Sequence, residues 1–181
     1  MLKRFLEWGA SLSRPRFKAY MEARRRYEAY LAKCVRARTN PLNPQERRRA
    51  KEASELKEAA LLYREAIQLS EQEGAGGDAA AASFQLGILL HLQGEVEEAS
   101  TMFRKTAALL DDLPKIERQQ QAIRSGCLYH LGLIAWHDHH DAGQALHHIQ
   151  AALDIDVVNN NVQSQKLCQA ALKYLQAQRT S

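Results

Sequence analysis

Apolar residues recur at intervals of three and four along nearly the whole chain. No segment shows the strict alternation of apolar and polar residues that is typical of a strand. This spacing, in a chain rich in Ala, Leu, Gln, Glu, Lys and Arg, predicts helices throughout. A first long helix is expected to begin after Pro15, with an apolar stripe formed by Phe17, Tyr20, Tyr27, Leu31 and Cys34.

Proline, glycine and asparagine divide this pattern into seven helices. The segment TNPLNP at 39–44 ends the first helix, and Asn43, Pro44 and Glu46 have the spacing of a capping box at the start of the second. The second helix is expected to run to about Glu73, with the stripe Leu56, Ala59, Tyr63, Ala66 and Ile67. The others are expected at 79–93, 95–111, about 114–136, 143–155 and about 161–177.

Polar residues are predicted to open three of these helices. Asp78 is expected to cap the third helix, Asp112 and Pro114 to open the fifth, and the run Asn159–Asn161 to cap the last. A further short amphipathic helix is expected around Leu2, Phe5 and Leu6.

One pattern recurs in the second half of the chain. Ser83-x2-Leu86-Gly87-x2-Leu90 precedes Ala99-x3-Phe103, and Leu128-x2-Leu131-Gly132-x2-Ala135 precedes Ala145-x3-Ile149; Ala59-x3-Tyr63 matches the second half alone. This resembles the tetratricopeptide repeat (TPR), a helix–turn–helix unit. The small pairs Gly87/Ala99 and Gly132/Ala145 are predicted to let antiparallel helices approach closely, while the larger residues fill the space between units.

The pattern also departs from the family. Gly87 and Gly132 are 45 residues apart, against a family period of about 34, and neither full unit ends in proline. The resemblance covers two full units and one partial unit at about 44–156, whose first leading helix, 44–53, is charged. It implies an all-α, TPR-like helical-hairpin solenoid of about seven helices. We expect a basic N-terminal helical segment at 1–43 and a helical domain at 44–181 that ends in a capping helix.

In TPR proteins the leading helices line a concave face that binds ligands. The resemblance places Phe84, Ile88 and His91 of one unit, and Tyr129, Leu133 and Trp136 of the next, on such a face; we call these six residues the apolar groove. It lacks the Lys, Arg and Asn that clamp a C-terminal carboxylate, and it suits a helical or extended segment of another protein. The alternative is that the chain fills the groove itself, with residues 1–37 or with the last helix through Val162, Cys168, Leu172 and Leu175.

Charge is divided unevenly along the chain. Residues 1–51 contain fifteen Lys and Arg and four Glu, giving +11, and residues 52–181 contain ten and seventeen, giving −7. We call Arg24, Arg25, Arg26, Arg47, Arg48 and Arg49 the basic arm. It binds an external anionic partner, such as RNA, lipid or an acidic protein, or it forms a solvated helix face, or it folds onto the acidic part of its own chain. Tyr20, Tyr27 and Tyr30 between these arginines suit base stacking, but their helical spacing favours core packing.

Five of the seven histidines, His137, His139, His140, His147 and His148, lie close together with Asp138 and Asp141. These are competent metal ligands, but a turn does not fix their geometry, so a solvated polar turn is favoured over a metal site. Cys127 and His130 are expected to serve packing. We find no glycine-rich phosphate loop, nucleophile elbow or HExxH motif, and we expect no catalytic residues, no metal and no cofactor.

The sequence therefore predicts a non-enzymatic adaptor, scaffold or assembly subunit that binds a partner through the apolar groove. The alternative is a nucleic-acid-associated subunit of a ribonucleoprotein or organellar complex that uses the basic arm; a metal-dependent protein and a small secretion chaperone are further alternatives. Three dispersed cysteines and the lack of a long apolar run favour an intracellular, cytoplasmic protein without a transmembrane segment. A mitochondrial or other organellar interior is the alternative location.

Overall fold

A computed structural model describes residues 14–37, 44–111, 113 and 116–179 of the chain. Within these ranges the chain forms eight helices and no strands, which confirms the all-α prediction. They are α1 (Pro15–Ala37), α2 (Pro44–Glu52), α3 (Ser54–Gln72), α4 (Gly76–Leu92), α5 (Val96–Asp111), α6 (Arg118–His137), α7 (Ala142–Val158) and α8 (Val162–Arg179). The helix expected around Leu2, and the capping roles of Asn43, Asp112 and Pro114, lie outside the described residues.

The helices form two compact units, one reaching to Glu95 and the other beginning at Val96. In the first unit α3 packs against α1 and α4. In the second unit α6 packs against α5 and α7, and α7 packs against α8. The expected division after residue 43 stays a prediction, and within the first unit α1 packs on α3. Within the described ranges, no helix has both the length and the hydropathy needed to cross a membrane.

The predicted stripe of α3 is confirmed, since Leu56, Ala59, Tyr63, Ala66 and Ile67 are all buried. The predicted stripe of α1 is confirmed in part. The residues of α1 that are buried are Arg16, Ala19, Ala23, Tyr30 and Cys34, whereas Phe17, Tyr20, Tyr27 and Leu31 are only half-buried. Small buried residues such as Ala19 and Ala23 permit α1 to lie close against α3, while Phe17, Tyr20 and Tyr27 remain partly exposed.

The second predicted helix is wrong in its extent, because the chain bends at Ala53 and separates α2 from α3. Ala53 has φ −63° and ψ 117°, an extended conformation, although neither glycine nor proline is present there. The helix that lies along α3 is α1, and not the segment 44–53 that the repeat pattern suggested. Of α2, the described side chains that are buried are Glu46 and Ala50. A helix this polar has no apolar stripe with which to pair.

Turn residues fix several helix boundaries. Gly74 and Gly94 adopt φ values of 66° and 79°, the left-handed conformation in which glycine commonly ends a helix. The helix α4 begins at Gly76, so Asp78 lies in its first turn and is not its cap. The helix α6 begins later than predicted, at Arg118, where Glu117 and Gln120 form a reciprocal capping box.

Gly132 confirms one of the two predicted close approaches. A methyl group built at this position would lie 2.5 Å from Cγ1 of Ile149 and 3.2 Å from the carbonyl oxygen of Ala145. Only glycine therefore permits α6 to lie this close to α7. Gly87 and Ala99 are both buried, one in each unit.

A buried carboxylate joins the last three helices. Asp156 of α7 is 1% exposed, and its Oδ2 accepts a hydrogen bond from the Ser125 hydroxyl of α6 at 2.7 Å. Its Oδ1 accepts one from Nδ2 of Asn161 at 3.2 Å, in the turn before α8. The thiol of Cys168 on α8 lies 3.9 Å from Oδ2. These hydrogen bonds compensate the cost of burying the charge and fix the start of α8 against α6 and α7.

Candidate partner-binding surfaces

The face of α6 predicted to bind a partner carries three large side chains, and all three are half-buried. Tyr129, Leu133 and Trp136 follow one another at spacings of four and three, so they share one side of the helix. Tyr129 and Trp136 pack against a core cluster formed by Ala135, Ala145, Ile149, Ala152, Cys168, Leu172 and Leu175. The structure therefore uses one edge of this face for its own folding.

The last helix, α8, covers that edge. Cys168, Leu172 and Leu175 are 1%, 8% and 2% exposed, which agrees with the alternative in which the chain fills part of its own groove. Val162 does not take part, because it is 58% exposed. The ring of Trp136 meets that of Tyr174 edge to face, with the ring centroids 6.3 Å apart. Tyr174 is itself 54% exposed, so α8 covers the Trp136 side of α6 and presents a new aromatic surface beside it.

The face of α4 keeps two of its three predicted residues at the surface. Phe84 and Ile88 are half-buried, but His91 is 3% exposed. A ring nitrogen of His91 lies 3.2 Å from Nη2 of Arg47, which reaches across from α2. The position of His91 in the groove is therefore a correction: α2 covers it, and a partner would not reach it.

The arginines of the basic arm are mostly paired within the chain. Nε of Arg24 donates to Glu28 at 2.7 Å, Arg25 donates two hydrogen bonds to Glu22, and Nη1 of Arg49 donates to Glu46 at 2.5 Å. The hydrogen bond from Arg25 lowers the pKa of the Glu22 carboxyl. Arg47 contacts His91, as described above, and Arg48 is exposed.

Other cations of α1 meet the acidic residues of α3 and of the start of α4. Arg16 pairs with Glu73 and with Asp78, Arg26 pairs with Glu58, and Lys33 pairs with Glu55. The N-terminal part of α1 contacts the C-terminal end of α3, and the C-terminal part of α1 contacts the N-terminal part of α3, so the two helices are antiparallel. Of the basic arm, Arg26 reaches the acidic part of the chain through Glu58, whereas Arg24, Arg25 and Arg49 are exposed and pair with glutamates of their own helices, as on a solvated helix face.

The tyrosines between the arginines belong to the packing of the first unit. Tyr30 is buried, and burial raises the pKa of Tyr27 and of Tyr30 to about 12. The ring of Tyr20 meets that of Tyr63 edge to face at 5.8 Å. Rings held in this way do not present a free face for base stacking.

The histidine turn is mostly open to solvent. His137, His139 and His140 are exposed, and His148 is half-buried beside a cavity of about 190 Å³ that Arg104 and Asp141 also line. Burial, together with the neighbouring His147 and Arg104, lowers the pKa of His148. Among the residues described, no three side chains of His, Cys, Asp or Glu come together as a metal-binding set.

Cys127 and His130 both take part in packing, as predicted. Cys127 is fully buried, and desolvation raises the pKa of its thiol to about 12, far from the range of a reactive cysteine. The ring of His130 stacks on Phe103 with a centroid distance of 5.1 Å and an angle of 9°. Cys34 and Cys168 are likewise buried.

Sequence reasoning missed one surface, the outer side of α8. Leu167 and Tyr174, seven residues apart, are each 54% exposed, and Lys166 and Lys173 precede them at the same interval. The available signal was this repeated Lys-apolar pair, in a stretch from 157 to 181 that contains no Asp or Glu.

The chain matches no protein-family model, no curated protein and no solved structure. Its likeness to the TPR family therefore depends on the pattern of its own residues.

Proposed function

We propose that this protein is a non-enzymatic protein-interaction module, an adaptor, scaffold or assembly subunit with TPR-like helical hairpins. It binds helical or extended segments of partners through apolar side chains that each unit presents by itself. On α4 these are Phe84 and Ile88, and on α6 they are Leu133 and Trp136. Repeated hairpins that pack against their neighbours in the chain commonly present such surfaces.

One observation carries the proposal, the contact of the half-buried ring of Trp136 with the exposed ring of Tyr174. Large aromatic side chains contribute much of the binding energy at protein interfaces when a partner removes them from water. Tyr174 is 54% exposed and lies against Trp136, which continues towards Leu133 on the same side of α6. The interaction needs no cofactor.

The test is affinity capture from the source cells with the full chain and a single-residue variant. Leu133→Glu places a charge on the proposed face, whereas Leu61→Glu makes the same change at a residue of α3 that is 66% exposed and lies outside the face. We expect partners captured by the wild type to be retained by Leu61→Glu and lost by Leu133→Glu. Circular dichroism and thermal unfolding establish that both variants are folded. If the folded Leu133→Glu variant retains every partner, the proposed surface on α6 is wrong.

A further inference from the structure

The outer side of α8 carries an apolar stripe that the fold leaves exposed. Leu167, Ala170 and Tyr174 lie at spacings of three and four, and we call them the α8 stripe. Leu167 and Tyr174 are each 54% exposed, while Cys168, Leu172 and Leu175 hold the opposite side of the helix in the core. Through the contact of Tyr174 with Trp136, the stripe adjoins the apolar face of α6. A stripe of this width fits one further helix.

Two exposed lysines, Lys166 and Lys173, border the α8 stripe. Lys166 and Lys173 are exposed, and no ion pair joins either of them to an acid in the part of the chain that the structure describes. The contrast with α1 is clear, because Arg24, Arg25 and Arg26 are each paired with a glutamate of their own unit. Residues 157–181 contain no acid that could neutralise the lysines locally. This surface therefore carries positive charge that is complementary to an acidic partner.

We propose that the α8 stripe, with Trp136 beside it, binds an amphipathic helix of a partner protein whose apolar stripe is flanked by Asp or Glu. This inference rests on the proposed function and names the chemistry of its partner. The apolar residues provide the buried area, and Lys166 and Lys173 select the sign of the flanking charges.

Charge distinguishes this occupant from others. In a second copy of the chain, two α8 helices would place lysines near lysines with no acid on either side. Residues 1–13 of the same chain contain Lys3, Arg4 and Glu7 and so carry a net positive charge. Recognition of an anionic membrane commonly uses clusters of about four to eight basic residues, more than the two lysines beside the stripe.

The test uses the full chain and designed helical peptides of about three heptads. One peptide has Leu at the a and d positions and Glu at the e and g positions, a second has Lys in place of Glu, and a third is a scrambled form of the first. Fluorescence anisotropy of labelled peptides gives each Kd. We expect the acidic helix to bind about tenfold or more tightly than the basic helix, and the scrambled peptide not to bind.

Charge reversal makes the test specific. In Lys166→Glu/Lys173→Glu the preference should invert, with the acidic helix losing about tenfold or more in affinity and the basic helix gaining. The control Lys18→Glu/Lys57→Glu makes the same change in net charge on exposed residues of α1 and α3 and should bind like the wild type. Leu167→Ser/Tyr174→Ser should weaken both peptides.

The inference is wrong if neither peptide binds, if both peptides bind equally, or if charge reversal has no effect on binding. It is also wrong if vesicles containing phosphatidylserine bind through the lysines while the peptides do not bind. If the chain self-associates in sedimentation and the Leu167→Ser/Tyr174→Ser variant does not, the α8 stripe binds a second copy of the chain instead.

Failure of this inference is distinguishable from failure of the proposed function. If Leu133→Glu still loses its native partners, the interaction module stands and only the acidic partner is wrong.

Discussion

Gly132 and Ile149 are so close that the space between α6 and α7 has no room for a side chain at position 132. A methyl group there would meet Cγ1 of Ile149 at 2.5 Å and the carbonyl oxygen of Ala145 at 3.2 Å. Because Ala145 and Ile149 are 0% and 1% exposed, neither can move without opening the core of the second unit. The closest contact of the predicted repeat is thus a packing constraint of the folded chain.

We expect Gly132→Ala to lower the free energy of unfolding by about 2 kcal/mol, because overpacking exceeds the gain of about 1 kcal/mol in helix propensity. Urea denaturation followed by circular dichroism measures it. Ile149→Ala should cost about 2–4 kcal/mol alone, and the double variant should cost less than the sum, because the new methyl occupies vacated space. A Gly132→Ala protein more stable than the wild type would contradict the close approach.

Removing Arg16 should cost more stability than removing Arg25. The Arg16 side chain is 10% exposed and pairs with both Glu73 and Asp78, whereas Arg25 is 73% exposed and pairs with Glu22 on its own helix. We expect Arg16→Ala to lower the free energy of unfolding by about 1–2 kcal/mol through lost packing and ion pairing, and Arg25→Ala by less than about 0.5 kcal/mol. Thermal and urea unfolding of the two variants give the comparison. Equal effects would mean that α1 is not held against α3 and α4 by this contact.

The buried carboxylate of Asp156 should be more important for stability than its hydrogen-bond donors. Asp156→Ala removes the acceptor shared by the Ser125 hydroxyl and the Asn161 amide, which keep only the Ala152 carbonyl and the Ser164 hydroxyl, and it empties a buried position, so we expect a loss of about 2–4 kcal/mol. Ser125→Ala removes one donor and should cost about 1 kcal/mol. Urea unfolding tests both. If Asp156→Ala is as stable as Ser125→Ala, the carboxylate does not organise the junction of α6, α7 and α8.

The lowered pKa of His148 predicts a pH dependence of stability. The folded protein resists protonation of this ring, so at acidic pH the unfolded chain binds more protons at this site. The stability that the neutral His148 ring contributes is fully present at pH values above about 6.5, the pKa of histidine in the unfolded chain. It is lost as the pH falls through the lower pKa of His148 in the folded protein. We expect the free energy of unfolding to decrease less in His148→Gln than in the wild type between about pH 7.5 and about pH 5. Identical decreases would contradict the assignment.

The sequence allowed the helical class and the positions of most helices to be predicted, because apolar periodicity and glycine turns are local signals. Gly94 separates α4 from α5 as predicted, and the stripe of α3 from Leu56 to Ile67 is buried as predicted. Gly132 was also recognisable, since its repeat pattern combines two small residues at a helix contact.

The wrong predictions share one cause: contacts between residues far apart in the sequence determined helix boundaries and burial, whereas the predictions used the local spacing of apolar residues. The bend at Ala53 is not marked by a glycine or a proline. The packing of α1 on α3 buries Ala19 and Ala23, whereas Phe17, Tyr20 and Tyr27 are only half-buried. The burial of His91 depends on Arg47, which is 44 residues away in the sequence. No window of helical periodicity contains these relationships.

The bend at Ala53 affects how the first unit would partly unfold. Nothing in the residues on either side of it opposes a continuous helix, so the change of direction between α2 and α3 is imposed by the packing of α1 on α3 and by the contact of Arg47 with His91. We expect that release of those contacts would remove the restraint that holds Ala53 extended, so that the segment from Pro44 to Gln72 can form one continuous helix. Partial unfolding of this unit would then lengthen a helix. A distance measured between labels on either side of Ala53 would increase, whereas the total helix content would change little.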